Sequence, residues 1–166
     1  TVDHTRAAVA LELGIESMQP ALGALREGVL YDLLGRFHHN DMREVTVQQF
    51  MRRYHVDARQ AARVAHLADL LVRQFLLEQI SEDESQLLAW AANLHEIGIS
   101  VAHSGYHKHT AYILANADMP GFSKKEQVRL SLLALAQRGN LDKLQGQLKN
   151  TEDCVLAMSL RLAVLF

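Results

Sequence analysis

Apolar residues recur at helical spacing along most of the chain after residue 40. In the stretch that begins at Asp57, they stand three and four positions apart, as on the buried face of an amphipathic helix. That face consists of Ala61, Val64, Ala68, Leu71 and Phe75. Similar spacing predicts helices over residues 45–54, 82–95, 106–116, 128–136 and 151–166. Because no segment after residue 40 alternates as a strand does, we predict an all-α helical bundle.

Capping and breaking residues stand near the ends of these helices. Asp57, Ser81 and Ser123 can each cap a helix start through a side-chain oxygen, and glutamates follow Ser81 and Ser123 in capping-box positions. Gly98 and Gly139 stand where the helical spacing stops, so we expect them at helix ends.

Residues 1–40 have a different character. A helical pattern over residues 1–13 ends at Gly14, and Pro20 and Gly23 interrupt the next segment before helical spacing resumes at Leu25. The chain does not begin with methionine, and it ends inside an apolar helical pattern. We therefore expect an excised part of a longer protein, with a short mixed segment in front of the helical bundle.

Composition narrows the class of protein. The chain has 166 residues, of which 49% are hydrophobic and 22% are charged, which suits one soluble globular domain. No apolar run approaches the roughly 20 residues that span a bilayer, and no signal peptide is recognisable. The one cysteine, Cys154, excludes an internal disulfide. We therefore expect a cytoplasmic protein without a membrane partner.

Charge is distributed unevenly along the chain. Residues 78–96 contain five acids and no Lys or Arg, whereas residues 100–150 contain seven Lys or Arg against three acids. A basic later half is typical of a protein that binds an anionic ligand there. An ordinary solvated surface explains the same distribution equally well.

Histidines concentrate in residues 93–114, which contain four of the chain's nine. They are His95, His103, His107 and His109, and Glu96 directly follows the first. Imidazole and carboxylate groups can bind a divalent cation that activates water. His, Lys and helix-start amides can instead bind phosphate. Buried histidines can also simply cap helices and pack, so the residue chemistry alone leaves three interpretations open.

Two parts of the chain resemble a known family. The phrases "HEIGIS", "HSGYHKHTAYIL" and "DMPGF", in this order, are similar to the C-terminal helical domain of the exopolyphosphatase / guanosine pentaphosphatase (Ppx/GppA) family. The upstream phrase "LGIESMQPALGALREGVLYDLLGR" resembles the segment in which that family's second actin-like domain ends. The resemblance implies an HD-domain-like helical bundle over residues 41–166. Residues 1–40 would then be the end of an actin-like α/β domain and a connecting helix.

The family's helical domain in turn resembles the HD-domain metallophosphohydrolases, which bind metal through a His, a His-Asp pair and a late Asp. In this chain the pair falls on His95 and Glu96, the first His on Gln60, and the late Asp at about Val164. Glutamine is a poor ligand for transition metals and valine is none, so a cation held by the pair alone would bind weakly. We therefore predict a degenerate HD site, with no metal and no other cofactor bound by this chain.

The resemblance also implies a reaction, the hydrolysis of a terminal phosphoanhydride of inorganic polyphosphate or guanosine pentaphosphate. The catalytic residues of this reaction and its divalent cation, expected to be Mg²⁺, belong to actin-like domains that should precede residue 1. We therefore expect no catalytic residue in this chain. The alternative is an independent HD-like metal-dependent phosphohydrolase with a rebuilt metal site.

The helical domain of the family is associated with homodimer formation and with extension of the groove that holds polyphosphate. The resemblance and the basic later half together give candidate phosphate contacts at His103, His107, Lys108 and His109. Arg26, in the family's hinge segment, is a further candidate, although a salt bridge that holds the helix start explains it better. More peripheral candidates are Lys124, Lys125 and Arg129. The expected partners are the polyanionic substrate, a second copy of the chain and the actin-like domains, and no nucleic acid.

Overall fold

The computed structural model describes residues 41–76, 79–144, 146–148 and 150–166. Within this part the chain is all-helical and contains no strand, which confirms the predicted fold class. The interpretation of residues 1–40 as the end of another domain, and Arg26 with it, lies outside the described residues. The helices are α1 (Met42–Arg53), α2 (Ala58–Phe75), α3 (Glu82–Leu94), α4 (Tyr106–Asn116), α5 (Lys124–Ala136) and α6 (Thr151–Leu165). Two 3₁₀ turns, Ile97–Ser100 and Leu141–Leu144, lie between helices.

Side-chain capping defines where most of these helices begin. Asp41, Asp57, Ser81, Ser123 and Asn150 each accept a hydrogen bond from a backbone N–H of the following helix. The capping-box prediction at Ser123 is confirmed in full, because the Glu126 side chain also accepts from the Ser123 backbone N–H at 2.7 Å. Two helices begin earlier than predicted, α1 at Met42 and α5 at Lys124, because each cap directly precedes the helix.

Helix α3 lies at the centre of the bundle and packs against α1, α2, α5 and α6. Its second half, from Leu87 onward, is buried on nearly all sides, so it lacks the single apolar stripe of a surface helix. Its buried residues are Leu87, Leu88, Trp90, Ala91, Ala92 and Leu94. Helix α4 packs against α5 and against the first 3₁₀ turn, which places the histidine-rich segment beside the end of α3.

Trp90 joins three parts of the bundle. Its indole Nε1 donates to Glu44 Oε2 of α1 at 2.8 Å, and the ring of Phe122 packs edge-on with centroids 5.0 Å apart. The guanidinium of Arg43 lies 4.6 Å above the indole and donates to Glu126 Oε1 of α5 at 2.7 Å. The buried indole N–H of Trp90 therefore has a hydrogen-bond acceptor, and the same side chain lies where α1, α3 and α5 meet.

The predicted core face of α2 is confirmed at Ala61, Val64 and Ala68, which are fully buried, and is wrong at Phe75. Phe75 is about half exposed because it is the last residue of α2, and Val72 takes the corresponding core position. No helix in the described part of the chain is long and apolar enough to cross a membrane.

Gly98 does not end helix α3, contrary to the prediction. Helix α3 ends at Leu94, and Gly98 lies inside the 3₁₀ turn Ile97–Ser100. A Cβ atom at Gly98 would stand 2.2 Å from the Tyr106 carbonyl oxygen and 2.4 Å from the Thr110 backbone nitrogen. The glycine is therefore needed because the backbone of the turn lies directly against helix α4.

Replacing Gly98 with alanine should strongly destabilise the domain, since the new methyl group meets backbone atoms that cannot turn aside. We expect Gly98→Ala to lower the free energy of unfolding by about 3 kcal/mol or more, measured by urea denaturation. Gly146→Ala is the matched control, because a Cβ there meets nothing within 4 Å and only its positive φ of 76° adds strain. The control should lose only about 1 kcal/mol, and equal losses at the two positions would contradict the close approach at Gly98.

Candidate functional site

The side chain of His95 lies in the interior, directly after the end of α3. It is completely buried, and its Nδ1 lies 2.6 Å from the Ala92 carbonyl oxygen, so Nδ1 carries the proton and donates. The other ring nitrogen, Nε2, is the acceptor of this tautomer. It is buried without a hydrogen-bond partner and lies 3.6 Å from Glu96 Oε1.

The backbone of His95 joins the end of α3 to two neighbouring elements. Its carbonyl oxygen accepts from Thr110 Oγ1 of α4 at 3.1 Å and from Gln137 Nε2, after α5, at 2.9 Å. The Thr110 hydroxyl oxygen in turn accepts from the Gly98 N–H at 3.0 Å. Both donor side chains are buried. Because the last carbonyl groups of a helix have no partner within it, these bonds satisfy a helix end that water does not reach.

Two further positions predicted for a degenerate HD site, Gln60 and Val164, lie in other surroundings. Gln60 Oε1 accepts from Arg63 Nε at 3.1 Å, so its carbonyl oxygen is already bound to a cation. Val164 is partly buried and packs against the apolar core. Within residues 41–166, as far as they are described, no three His, Cys, Asp or Glu side chains lie close enough together to hold a metal ion. The prediction that the chain binds no metal stays a prediction.

Burial keeps His95 in its neutral form. Removal from water lowers the pKa of its imidazole, and the positive charge of Arg63 lowers it further. The hydrogen bond to Ala92 and the charge of Glu96 act in the opposite direction but do not outweigh burial. Sequence reasoning did not identify Arg63, Thr110 or Gln137, whose only sequence signal is a polar residue inside a helical pattern.

The remaining histidines separate by exposure. His103 is exposed in the loop before α4, Lys108 is exposed on the first turn of α4, and His109 is half-buried. His107 is buried, with its ring edge-on to Tyr106 at a centroid distance of 6.1 Å. Helix α4 begins only at Tyr106, so His103 and His107 do not share a helix face. His103 and Lys108 are therefore the members of the cluster most accessible to a solvent-borne ligand.

The start of helix α4 differs from the other helix starts that the structure describes. Gly105, with φ +71°, stands at its N-cap position, where no side chain accepts a hydrogen bond, and the first turn contains no acid. The other five described helices each have a side-chain cap. A helix start carries a partial positive charge, and here the exposed side chain of Lys108 adds to it. This end of α4 is suited to an anion.

The three peripheral candidates line a groove of about 600 Å³ beside α5 and the start of α6. Arg129 donates to both carboxylate oxygens of Glu84, at 3.0 and 2.6 Å, and to Asp153 Oδ1 at 2.6 Å. These bonds raise the pKa of the guanidinium, and the two carboxylates compensate its positive charge. Lys124 Nζ donates to the Ala115 carbonyl oxygen at 2.6 Å, and Lys125 is exposed. Arg129 therefore holds α3, α5 and α6 together.

The fold and these contacts define an all-helical domain with a structural histidine at its centre and a cationic, uncapped helix start at its surface. Residues 42–166 match the sequence profile of "Ppx/GppA phosphatase, domain III". The chain thus belongs to the Ppx/GppA phosphatase family, as its sequence motifs suggested. The match extends through the last third of the chain.

Curated relatives agree with this assignment. The chain is 44% identical to the guanosine-5'-triphosphate,3'-diphosphate pyrophosphatase of Pseudoalteromonas translucida (strain TAC 125) over 135 residues, 79% of this chain and 27% of the relative. It is 39% identical to the protein of the same description from Aeromonas hydrophila subsp. hydrophila over 163 residues, 92% of this chain and 32% of the relative. The chain thus spans about a third of the length of these hydrolases.

The buried imidazole should make the domain sensitive to mild acid. The folded pKa of His95 lies below its ordinary value of 6.5, so the unfolded chain takes up the proton first as pH falls. Stability from this group is complete above about pH 6.5 and declines below it, by at most about 1.4 kcal/mol per pH unit. We expect denaturant titrations between pH 7.5 and 5 to show this decline.

His95→Gln removes the titrating group and should flatten the pH dependence, even if the variant is less stable at every pH. The ion-paired carboxylates do not interfere, because Asp69 and Glu126 have pKa values lowered from 3.8 and 4.5 and titrate at lower pH. The remaining histidines are common to both proteins. Equal slopes for the two proteins would show that His95 does not titrate differently on unfolding.

Proposed function

We propose that this chain is the polyanion-binding helical part of a Ppx/GppA-type phosphoanhydride hydrolase. The parent protein releases terminal phosphate from guanosine pentaphosphate or inorganic polyphosphate. The names of the relatives favour a guanosine substrate with phosphates at both ends of the ribose. In this proposal catalysis belongs to preceding actin-like domains with Mg²⁺, and the present chain contributes binding and dimer formation.

The observation that carries the proposal is the start of helix α4. A helix without a side-chain cap and without a first-turn acid leaves its positive end available to an outside anion. Both His103, in the loop before this start, and Lys108, on the first turn, are exposed. We therefore assign direct phosphate contacts to these two residues, with the half-buried His109 behind them.

Two other candidate phosphate contacts, His107 and Arg26, are assigned separately. His107 is buried against Tyr106, and we assign it the role of holding the first turn of α4 in place. Arg26 remains a candidate phosphate contact, argued from the family resemblance alone.

Dimer formation is supported by the outer face of α6. Met158 is 42% exposed and Leu165 is 69% exposed, although an apolar helix such as α6 is ordinarily covered. A second copy of the chain would cover this face. Sedimentation over a range of protein concentrations tests this part of the proposal, and a chain that stays monomeric throughout contradicts it.

Lys108→Ala should weaken polyphosphate binding and reduce its dependence on salt. Each cation that neutralises a phosphate releases about one counterion, so losing one contact should lower the slope of log affinity against log salt by about 1. We expect His103→Ala to weaken polyphosphate binding as well, because it removes an exposed polar side chain that directly precedes this helix start. The measurement is titration calorimetry of the chain with polyphosphate at several salt concentrations.

Lys125→Ala is the matched control, because it removes the same charge from the first turn of α5, a helix start that Ser123 and Glu126 cap. The control should bind polyphosphate as the unaltered chain does. A loss of affinity at Lys125 equal to that at Lys108 would indicate general attraction by surface charge and no site at α4.

The proposal further expects no turnover by the chain alone. Phosphate release from polyphosphate and from guanosine pentaphosphate, assayed with Mg²⁺ and then Mn²⁺, should stay at the level of the protein-free reaction. Release that depends on metal and disappears in Glu96→Gln would favour the alternative, an independent HD-like phosphohydrolase at His95 and Glu96. That outcome would refute the assignment of catalysis to other domains.

A further inference from the structure

Helix α2 presents a row of mainly cationic side chains to solvent. The row stands about half a turn around the helix axis from the buried residues Ala61, Val64 and Ala68. Its members are alternately four and three positions apart, which keeps them on one line along the helix. This row of exposed residues, which we call the α2 seam, consists of Arg59, Arg63, His66, Leu70 and Arg73.

Four exposed arginines at the start of this surface have no carboxylate partner within the part of the chain that the structure describes. Arg52 and Arg53 end helix α1, and Arg59 and Arg63 lie in the first two turns of α2. The guanidinium of Arg53 lies 5.7 Å from the ring centre of Tyr54, and Arg63 donates to a neutral amide. Neither contact compensates a positive charge, so this corner of the domain is available to an anionic partner.

Two of these arginines stand where a helix does not favour them. Arg59 lies in the first turn of α2, where the positive end of the helix dipole disfavours a cation and no acid compensates it. Arg59 and Arg63 are four positions apart, so their like charges repel each other on one helix face. Residues that oppose the local rules of folding are found chiefly at functional sites. The positions of these arginines therefore indicate a contact outside the domain.

The length and the centre of the α2 seam indicate which kind of anion fits it. The seam extends from Arg59 to Arg73, about 21 Å along the axis, which matches about four turns of a second helix. Leu70 is 47% exposed and lies between cations, so the seam offers an apolar contact as well as charge. The whole chain has a net charge of −2, whereas domains that bind nucleic acid are usually strongly basic. These features favour an acidic protein helix over nucleic acid.

We propose that the α2 seam is a docking surface for an acidic amphipathic helix of a partner protein. Carboxylates of the partner pair with Arg59 and Arg63, and an apolar side chain of the partner packs on Leu70. Arg73 already donates to Asp69 at 2.8 Å, so most of the attraction lies at the start of α2. The two arginines that end α1 add positive charge there, because only a four-residue connection separates the two helices. Alternating spacings of four and three residues let two helices pack along one line, as in a coiled coil.

The test uses a synthetic acidic helix as the probe. The probe is a dye-labelled peptide of about three heptads with leucine at the a and d positions and glutamate at e and g, which keeps it from pairing with itself. A scrambled peptide of the same composition has its leucines off these positions. Fluorescence anisotropy at physiological salt should show that the chain binds the heptad peptide and binds the scrambled peptide much more weakly.

Arg59→Ala combined with Arg63→Ala should weaken binding of the heptad peptide about tenfold, because two exposed ion pairs are lost. Leu70→Ala should weaken it about fivefold, because the partner then covers less apolar surface. The matched control, Lys124→Ala combined with Lys125→Ala, removes the same charge from α5 and should bind the peptide as the unaltered chain does. The urea midpoints of the α2 variants should equal that of the unaltered chain, because the substituted side chains are exposed.

Three results would overturn the docking surface. The first is a chain that does not bind the heptad peptide. The second is equal binding of the heptad and scrambled peptides, or equal losses in the α2 and α5 variants, since either would mean general attraction by charge. The third is tighter binding of a single-stranded RNA that depends on Arg59 and Arg63 and is unchanged in Leu70→Ala, which would assign the α2 seam to nucleic acid.

Discussion

The buried end of helix α3 is the constraint on which the rest of the domain depends. The helix ends inside the bundle at His95, so the last carbonyl groups need donors from the protein because water does not reach them. Thr110 and Gln137 supply two such donors to the His95 carbonyl oxygen, from α4 and from the end of α5. Gly98 permits α4 to approach closely enough for the first of these bonds.

This arrangement also determines the chemistry of the His-Glu pair. His95 donates its Nδ1 proton to a helix carbonyl group, is neutral because it is buried, and lies beside the fixed positive charge of Arg63. A positive charge that opposes protonation of the imidazole also opposes binding of a metal ion to it. Gln60 is bound to Arg63 and Val164 packs against the core, so these two positions of the predicted HD site have structural contacts.

The basic residues of the domain divide into two groups by their partners. Arg43 and Arg129 each bind two carboxylates and hold helices together, which uses their charge within the fold. Lys108 and His103 are exposed beside a helix start that no side chain caps. The two groups look alike in a count of charges. Their difference gives the proposed polyanion site its position at α4.

The sequence by itself determined the all-α fold, the six helices of the described residues and the family, because helical spacing, Asp and Ser caps and contiguous sequence motifs are local signals. It missed the role of Gly98, the exposure of Phe75 and the contacts of Arg63 and Gln137. Those depend on which distant backbone or side chain lies opposite, which spacing along one chain does not encode. The histidine phrase looked like one cluster, and only tertiary packing separated a buried helix end at His95 from an exposed cationic helix start at Lys108.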